Sequence, residues 1–219
     1  MIKDKKIIYI ALVPFLISMA LNFPFPHKSP YGEVVVSILS IHVKTINGYN
    51  YVGILSLLLL MLSLYLLVKS LKKHHIRWVL IAIIVAIYTP HFVANTYQKT
   101  MASGIYAVSY QSEESICNFE MKNETTLRGV CELLFENFSK DSTQFNIEFY
   151  ERYPFEDDIR MLSLMNNDAP YEVMLSGKER NRVIIETEID VSQMRNHLQS
   201  GQASHVTIMI KSGDKIRKL

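Results

Sequence analysis

Two apolar runs, residues 51–68 and 76–95, flank the stretch Lys69-Ser70-Leu71-Lys72-Lys73-His74-His75-Ile76-Arg77. The core of the first run, Leu55 to Leu67, holds no charged side chain. At 1.5 Å per residue each run reaches about 27–30 Å as a helix, the thickness of a bilayer's hydrocarbon core. Both are expected to span a membrane. The stretch between them gathers Lys69, Lys72, Lys73, Arg77 and two histidines within nine residues. Short loops rich in Lys and Arg stay on the cytoplasmic side, so this loop sets the direction of everything else. The same four cations suit anionic lipid headgroups, making membrane lipids the first expected partner.

A third apolar run, residues 7–23, follows the basic start Lys3-Asp4-Lys5-Lys6. Its seventeen residues reach roughly 25 Å, enough to cross, and transmembrane helices tolerate an internal proline such as Pro14. A signal peptide is the rival reading, with Ser18-Met19-Ala20 as a small-x-small cleavage site. Cleavage there leaves the rest of the topology unchanged. Phe23-Pro24-Phe25-Pro26 ends the run, because paired prolines cannot continue a helix. From Gly32 to Thr45 the polar residues Glu33, Ser37, Ser40 and Lys44 fall on one stripe. That spacing predicts a short helix over about 33–44 at the outer membrane surface, too short to span. A buried strand is the alternative, given Val34-Val35-Val36. A fourth span here would put Lys69–Arg77 outside, against the charge rule.

The expected membrane half is therefore residues 1–100, with three transmembrane helices over about 7–23, 51–68 and 76–95. It makes a multi-pass protein of the cell membrane, its N-terminus cytoplasmic and its C-terminal domain extracytoplasmic. Residues 1–103 carry ten Lys/Arg against Asp4 and Glu33, whereas residues 104–219 carry thirteen against nineteen Asp/Glu. An acidic soluble half argues against nucleic acid as a partner, since such binding needs a basic face. No span carries a charged residue at its centre, and His91 lies among Pro90, Asn95, Thr96 and Tyr97 at the outer end of its helix. An ion or proton path is not expected.

The soluble half, 104–219, alternates with period two, the signature of strands. Ile116 to Lys122 puts Cys117, Phe119 and Met121 on one face. Arg128 to Asn137 does the same with Cys131, Leu133 and Phe135. A hairpin turning at Asn123-Glu124-Thr125 sets Cys117 opposite Cys131, within reach of a disulfide in an oxidising compartment. Two buried free thiols are the competing reading. Asn123-Glu124-Thr125 and Asn137-Phe138-Ser139 match the glycosylation acceptor pattern. Further strands are expected around Phe145-Asn146-Ile147-Glu148-Phe149, from Ile159 to Met165, Tyr171 to Leu175, Arg182 to Val191 and His205 to Lys211. A short helix is expected from Ser192 to Leu198, ended by Gly201. The pattern suggests an all-β domain, a two-sheet sandwich of immunoglobulin-like type, although the buried tryptophan of antibody domains is missing because Trp78 is the only tryptophan.

Chemistry is sparse. No Gly-x-Ser-x-Gly elbow, His-Glu-x-x-His pair or phosphate-binding glycine loop occurs, and neither His197 nor His205 has metal-site neighbours. No cofactor, metal or catalytic residue is expected, and the protein is not expected to be an enzyme. Glu156-Asp157-Asp158 reads as a solvated loop. The strongest binding candidate is Phe149 to Phe155, where Tyr150, Arg152, Tyr153 and Phe155 supply the residue types enriched at hot spots; closure of the sandwich's open end by these rings is the alternative. The expected function is a membrane-anchored interaction module that captures an envelope component or membrane protein. The alternative is an accessory subunit that acts on a transporter or sensor through its helix bundle.

Overall fold

The computed structural model describes residues 3–39, 50–151, 161–194 and 199–219. The chain divides into two compact units, Met1–Thr96 and Tyr97–Leu219.

The first unit is helical: α1 (Lys5–Leu21), α2 (Tyr31–Ile38), α3 (Tyr51–Ser70) and α4 (His75–Thr100), which passes the unit boundary. Asp4 caps α1 by accepting from Lys6 N at 2.8 Å, and Asn50 caps α3 through Gly53 N at 3.1 Å. Among the described residues two helices, α3 and α4, are long and apolar enough to cross a membrane. The expected short helix starts earlier, at Tyr31, and takes in Val34-Val35-Val36, which excludes the strand alternative there. Its second half, beyond residue 39, lies outside the described residues. The apolar run at 76–95 continues as helix beyond its expected end, to Thr100.

The helices pair inside out. Leu57, Leu58, Met61 and Tyr65 of α3 are more than half exposed, while its buried residues are Val52, Ser56, Ser63 and Ser70. On α1 the buried residues are Ala11, Pro14 and Ser18. Ser56, Ser63 and Ser70 recur every seven residues, as do Asp4, Ala11 and Ser18, and the two series meet in antiparallel order. Ser18 Oγ donates to Ser56 O at 3.0 Å, and Ser63 Oγ donates to Ala11 O at 2.9 Å. Ser70 O accepts from Lys3 N at 2.7 Å and Asp4 N at 3.3 Å. A heptad of small residues lets helices close on one another without bulk, and their hydroxyls bond across the seam. At the other end Asn22 bonds Ser18 O at 2.9 Å and also Ser56 Oγ, and Gly32 fits where a Cβ would stand 2.5 Å from Val52 Cγ1.

The second unit is all β, in two antiparallel sheets. Its strands are β1 (Val108–Tyr110), β2 (Ile116–Met121), β3 (Thr126–Asn137), β4 (Thr143–Phe149), β5 (Tyr171–Leu175), β6 (Arg180–Asp190), β7 (Ser200–Ser204), β8 (Ile208–Ser212) and β9 (Lys215–Lys218). One sheet runs β7-β2-β3-β6, with β1 beside the far end of β3; the other runs β5-β4-β8-β9. Their inward faces share one core, in which Phe135 and Phe145 stand 5.5 Å apart between ring centres. Gly129 sits under Phe119 because a Cβ would approach Met165 Sδ to 2.5 Å.

Three expectations need correction. Residues 161–165 form helix α5 (Met161–Leu164) and the start of a 3-10 turn, not a strand; residues 159–160 lie outside the described residues. Leu162 and Met165, three apart, are the buried pair, so helical spacing overrides the apparent alternation. Gly201 lies within β7 instead of ending a helix. Of the helix expected at 192–198, residues 195–198 are outside the described residues and Ser192 opens a turn, its N donating to Asp190 Oδ1 at 2.9 Å. Finally, His205 has a φ of 55° and turns the chain, so the strand expected from 205 begins at Ile208.

Candidate functional site

The β2–β3 hairpin has the expected register, Cys117 opposite Cys131 and Met121 opposite Leu127. Asn123 holds the turn, its Oδ1 accepting from Thr125 N at 2.9 Å and Thr126 N at 2.8 Å. Both cysteines are fully buried, with sulfurs 1.89 Å apart, at disulfide-bonding distance. Of the two acceptor patterns, Asn123 is exposed. Asn137 is fully buried, donating to Asp141 O and Ser176 O at 3.0 Å, where no glycan could fit in the folded state.

Tyr150 lies at the end of β4, half-buried. Its N donates to Thr207 O at 3.2 Å, its carbonyl accepts from Thr207 Oγ1, and Lys218 Nζ stands 5.8 Å from its ring centre. That distance is within cation–π range, so the ring has a cationic neighbour on its outer side. Arg152, Tyr153 and Phe155 lie outside the described residues, as do Glu156-Asp157-Asp158 and His197. What the structure describes is the two flanks of that segment. Glu151 Oε1 accepts from Leu162 N at 2.9 Å and Ser163 N at 3.2 Å, capping α5. Asn166 bonds both backbone groups of Phe149, at 2.8 Å and 2.7 Å. The two ends of the segment are thus pinned together.

Sequence reading missed Lys218, Thr207 and the flanking pair Lys211–Glu148, with Nζ–Oε distances of 2.6 and 2.7 Å. It also missed Arg217. This guanidinium is buried at 4 % exposure and donates to Ile105 O at 2.6 Å and Val108 O at 2.7 Å. Burial pulls its pKa down to about 10. Gln98 Nε2 donates to the same Val108 carbonyl at 2.8 Å. A basic residue inside a strand reads as solvent-facing in sequence, and the carbonyls it bonds in the folded chain explain its burial. Tyr110 is similarly buried, its hydroxyl donating to Val206 O at 2.8 Å, and burial raises its pKa.

The four cations expected to set topology are spread over three places. Lys69 lies in the last turn of α3 with its Nζ 5.9 Å from the Tyr65 ring centre, Lys72 and Lys73 occupy the connection, and Arg77 lies in the first turn of α4. All four are exposed. His75 Nδ1 lies 3.1 Å from Val68 O, closing the connection. The contacts of Lys3 and Asp4 with Ser70 bring the basic N-terminus to this same end of the unit.

These features define a two-unit chain. A helical half holds two helices able to cross a membrane, and an antiparallel β half holds a cysteine pair at disulfide distance. Comparison with protein families, with curated proteins and with solved structures finds no match to this chain.

Proposed function

We propose that the chain is a multi-pass membrane protein with three spans that displays an immunoglobulin-like β-sandwich outside the cytoplasm as a non-enzymatic interaction module. The observation that carries this reading is the inverted polarity of the helical unit, with leucines outward and serines inward, which is stable in lipid and not in water. With α3 and α4 as spans, antiparallel α1 completes the bundle and its basic start joins Lys69, Lys72, Lys73 and Arg77 on the cytoplasmic face. The buried cysteine pair fits an oxidising compartment on the other side. The sandwich reading is supported by strand order: β3–β6 and β4–β8 pair across long connections, as Greek-key sandwiches require. Binding falls to the segment after Tyr150, whose described flanks are bonded to each other, with an envelope component or membrane protein as partner.

Topology is tested with single cysteines and a membrane-impermeant thiol reagent on intact cells. Asn123→Cys is expected to label and Lys72→Cys to be protected; the opposite pattern overturns the reading. Capture is tested by photocrosslinking from position 152. Tyr153→Ala with Phe155→Ala is expected to abolish the captured species while leaving the β unit folded.

A second reading is favoured by one feature of the bundle. A cleft of about 440 Å³ lined by Met19, Phe23, Phe25, Tyr31, Pro90 and Val93 offers an apolar seat for another protein's helix, as an accessory subunit acting within the membrane would need. Deleting residues 104–219 separates the two, since partner activity retained by the bundle alone contradicts the display reading.

A further inference from the structure

Each β sheet ends in strands with an unpaired edge, and exposed edges are ordinarily guarded by charge or proline. β6 carries Arg180, Arg182, Glu186 and Glu188; β9 carries Lys215 and Lys218; β5 follows Pro170 and carries Glu172. β7 has no such guard. It reads Ser200-Gly201-Gln202-Ala203-Ser204, and among the described residues no strand pairs with its outer edge.

The backbone groups on that edge can be identified. Lys122 N donates to Thr126 O, which assigns the even residues of β2 to bonding with β3. Met121 N donates to Gln199 O, which assigns the odd residues to bonding with β7. Bonded and non-bonded pairs alternate along an antiparallel ladder. In the observed register Phe119–Gly201 and Cys117–Ala203 are therefore bonded pairs. The N–H and C=O groups of Ser200, Gln202 and Ser204 consequently face away from β2, and among the described residues no strand meets them.

We propose that β7 is a self-complementary edge on which a second copy of this chain docks, antiparallel and centred on Gln202. The sequence is nearly symmetric about that residue. A two-fold axis there sets Gln202 against Gln202 of the partner copy, Ser200 against Ser204, and Gly201 against Ala203. The outward groups are those of 200, 202 and 204, which this register matches in about six backbone hydrogen bonds. No like charges meet, and no side chain larger than alanine meets on the inner side. Gln202 Nε2 already donates to Asn118 Oδ1 at 3.0 Å. Pairing extends that bond into a row of four amides, Asn118 and Gln202 of each copy, of the kind that stacks well between adjacent strands. The left-handed turn at His205 ends the edge directly after Ser204, so the paired segment is short and its register fixed. The inference does not depend on what the loop after Tyr150 binds.

The test uses the full chain in native membranes with single cysteines and a short thiol-to-thiol crosslinker. Gln202→Cys is expected to give covalent dimers. Ser200→Cys alone and Ser204→Cys alone are expected to give at least about fivefold less, because identical residues then sit four positions, or about 13 Å, out of line. Co-expressing the Ser200→Cys and Ser204→Cys chains is expected to restore the yield. In Gln202→Lys, which opposes two ammonium groups, the native-gel dimer is expected to disappear while Cys117 and Cys131 still resist alkylation. Equal yields at all three positions overturn the proposal. So does a monomer for both Gln202→Cys and the co-expressed pair, or a dimer that survives Gln202→Lys. None of these outcomes alters the topology labelling, so failure here and failure of the display reading are separable.

Discussion

Replacing Cys117 and Cys131 together by alanine probes the best-defined feature of the β unit. The cysteines are 14 residues apart, and closing a loop of that length removes chain entropy worth about 3 kcal/mol from the unfolded state. Both positions are fully buried, so the alanines also leave small voids. Reduced wild-type protein separates the two effects, because it keeps the sulfur volume and loses only the link. The assay is hydrogen exchange by mass spectrometry on the full chain in a bilayer mimic. Peptides from β3 and β6 report opening of the β unit, and peptides from α3 serve as the internal reference. Every 1.4 kcal/mol is a factor of ten, so protection in β3 is expected to fall on the order of a hundredfold on reduction. The double alanine variant is expected to fall further, with α3 unchanged in both. A loss below about tenfold on reduction refutes the reasoning, since loop closure would then contribute less than about half of its expected share. Alkylation of both cysteines in unreduced, folded protein refutes it more directly.

Gly177→Ala would bring a Cβ to 1.9 Å from Lys140 O, a backbone atom that cannot swing aside; a loss of at least about 2 kcal/mol, read as faster exchange in β3, is expected. Ser63→Ala at the α1–α3 seam is expected to cost only about 0.6 kcal/mol, whereas Ser63→Leu overpacks the seam and costs about 1–3 kcal/mol, measured by unfolding in mixed detergent. The Asp190 carboxyl is held below the usual range by the Ser192 backbone N–H, and that of Glu186 by Arg128. For a depressed carboxylate the unfolded chain binds the proton first. Stability from these groups is therefore present above the ordinary carboxylate range and lost as pH falls through the lowered values. Asp190→Asn is expected to flatten that acid limb of an unfolding titration.

The β2–β3 hairpin was legible in sequence because alternation, turn chemistry and cysteine numbering agreed. The missed strands lacked those signals. β7 presents only Gly201 and Ala203 to the core, β9 hides an arginine where the pattern expects a hydrophobe, and β1 is three residues long. Helix α5 reads as a strand in sequence because Met161-Leu162-Ser163-Leu164-Met165 satisfies both periods, and its cap, Glu151, is ten residues upstream of the helix. The serine heptads were readable, since Ser56, Ser63 and Ser70 recur at a fixed interval. Their significance needed the partner series on α1.

That pairing changes what Lys69–Arg77 alone can decide. Because α1 runs antiparallel to α3, with Lys3 and Asp4 bonded to Ser70, the basic residues Lys3, Lys5 and Lys6 share one end of the bundle with Lys69, Lys72, Lys73 and Arg77. Two clusters in series therefore favour one orientation. Reversing the loop to glutamates sets the clusters against each other, and the expected result is a mixed population, not an inverted one. Reversing Lys3, Lys5 and Lys6 as well removes the conflict and is expected to invert the chain. In cells, the impermeant reagent would then label a cysteine placed at position 74 and spare one at position 123. Unchanged labelling of the sevenfold variant would mean that the β unit, not the charge, fixes the orientation.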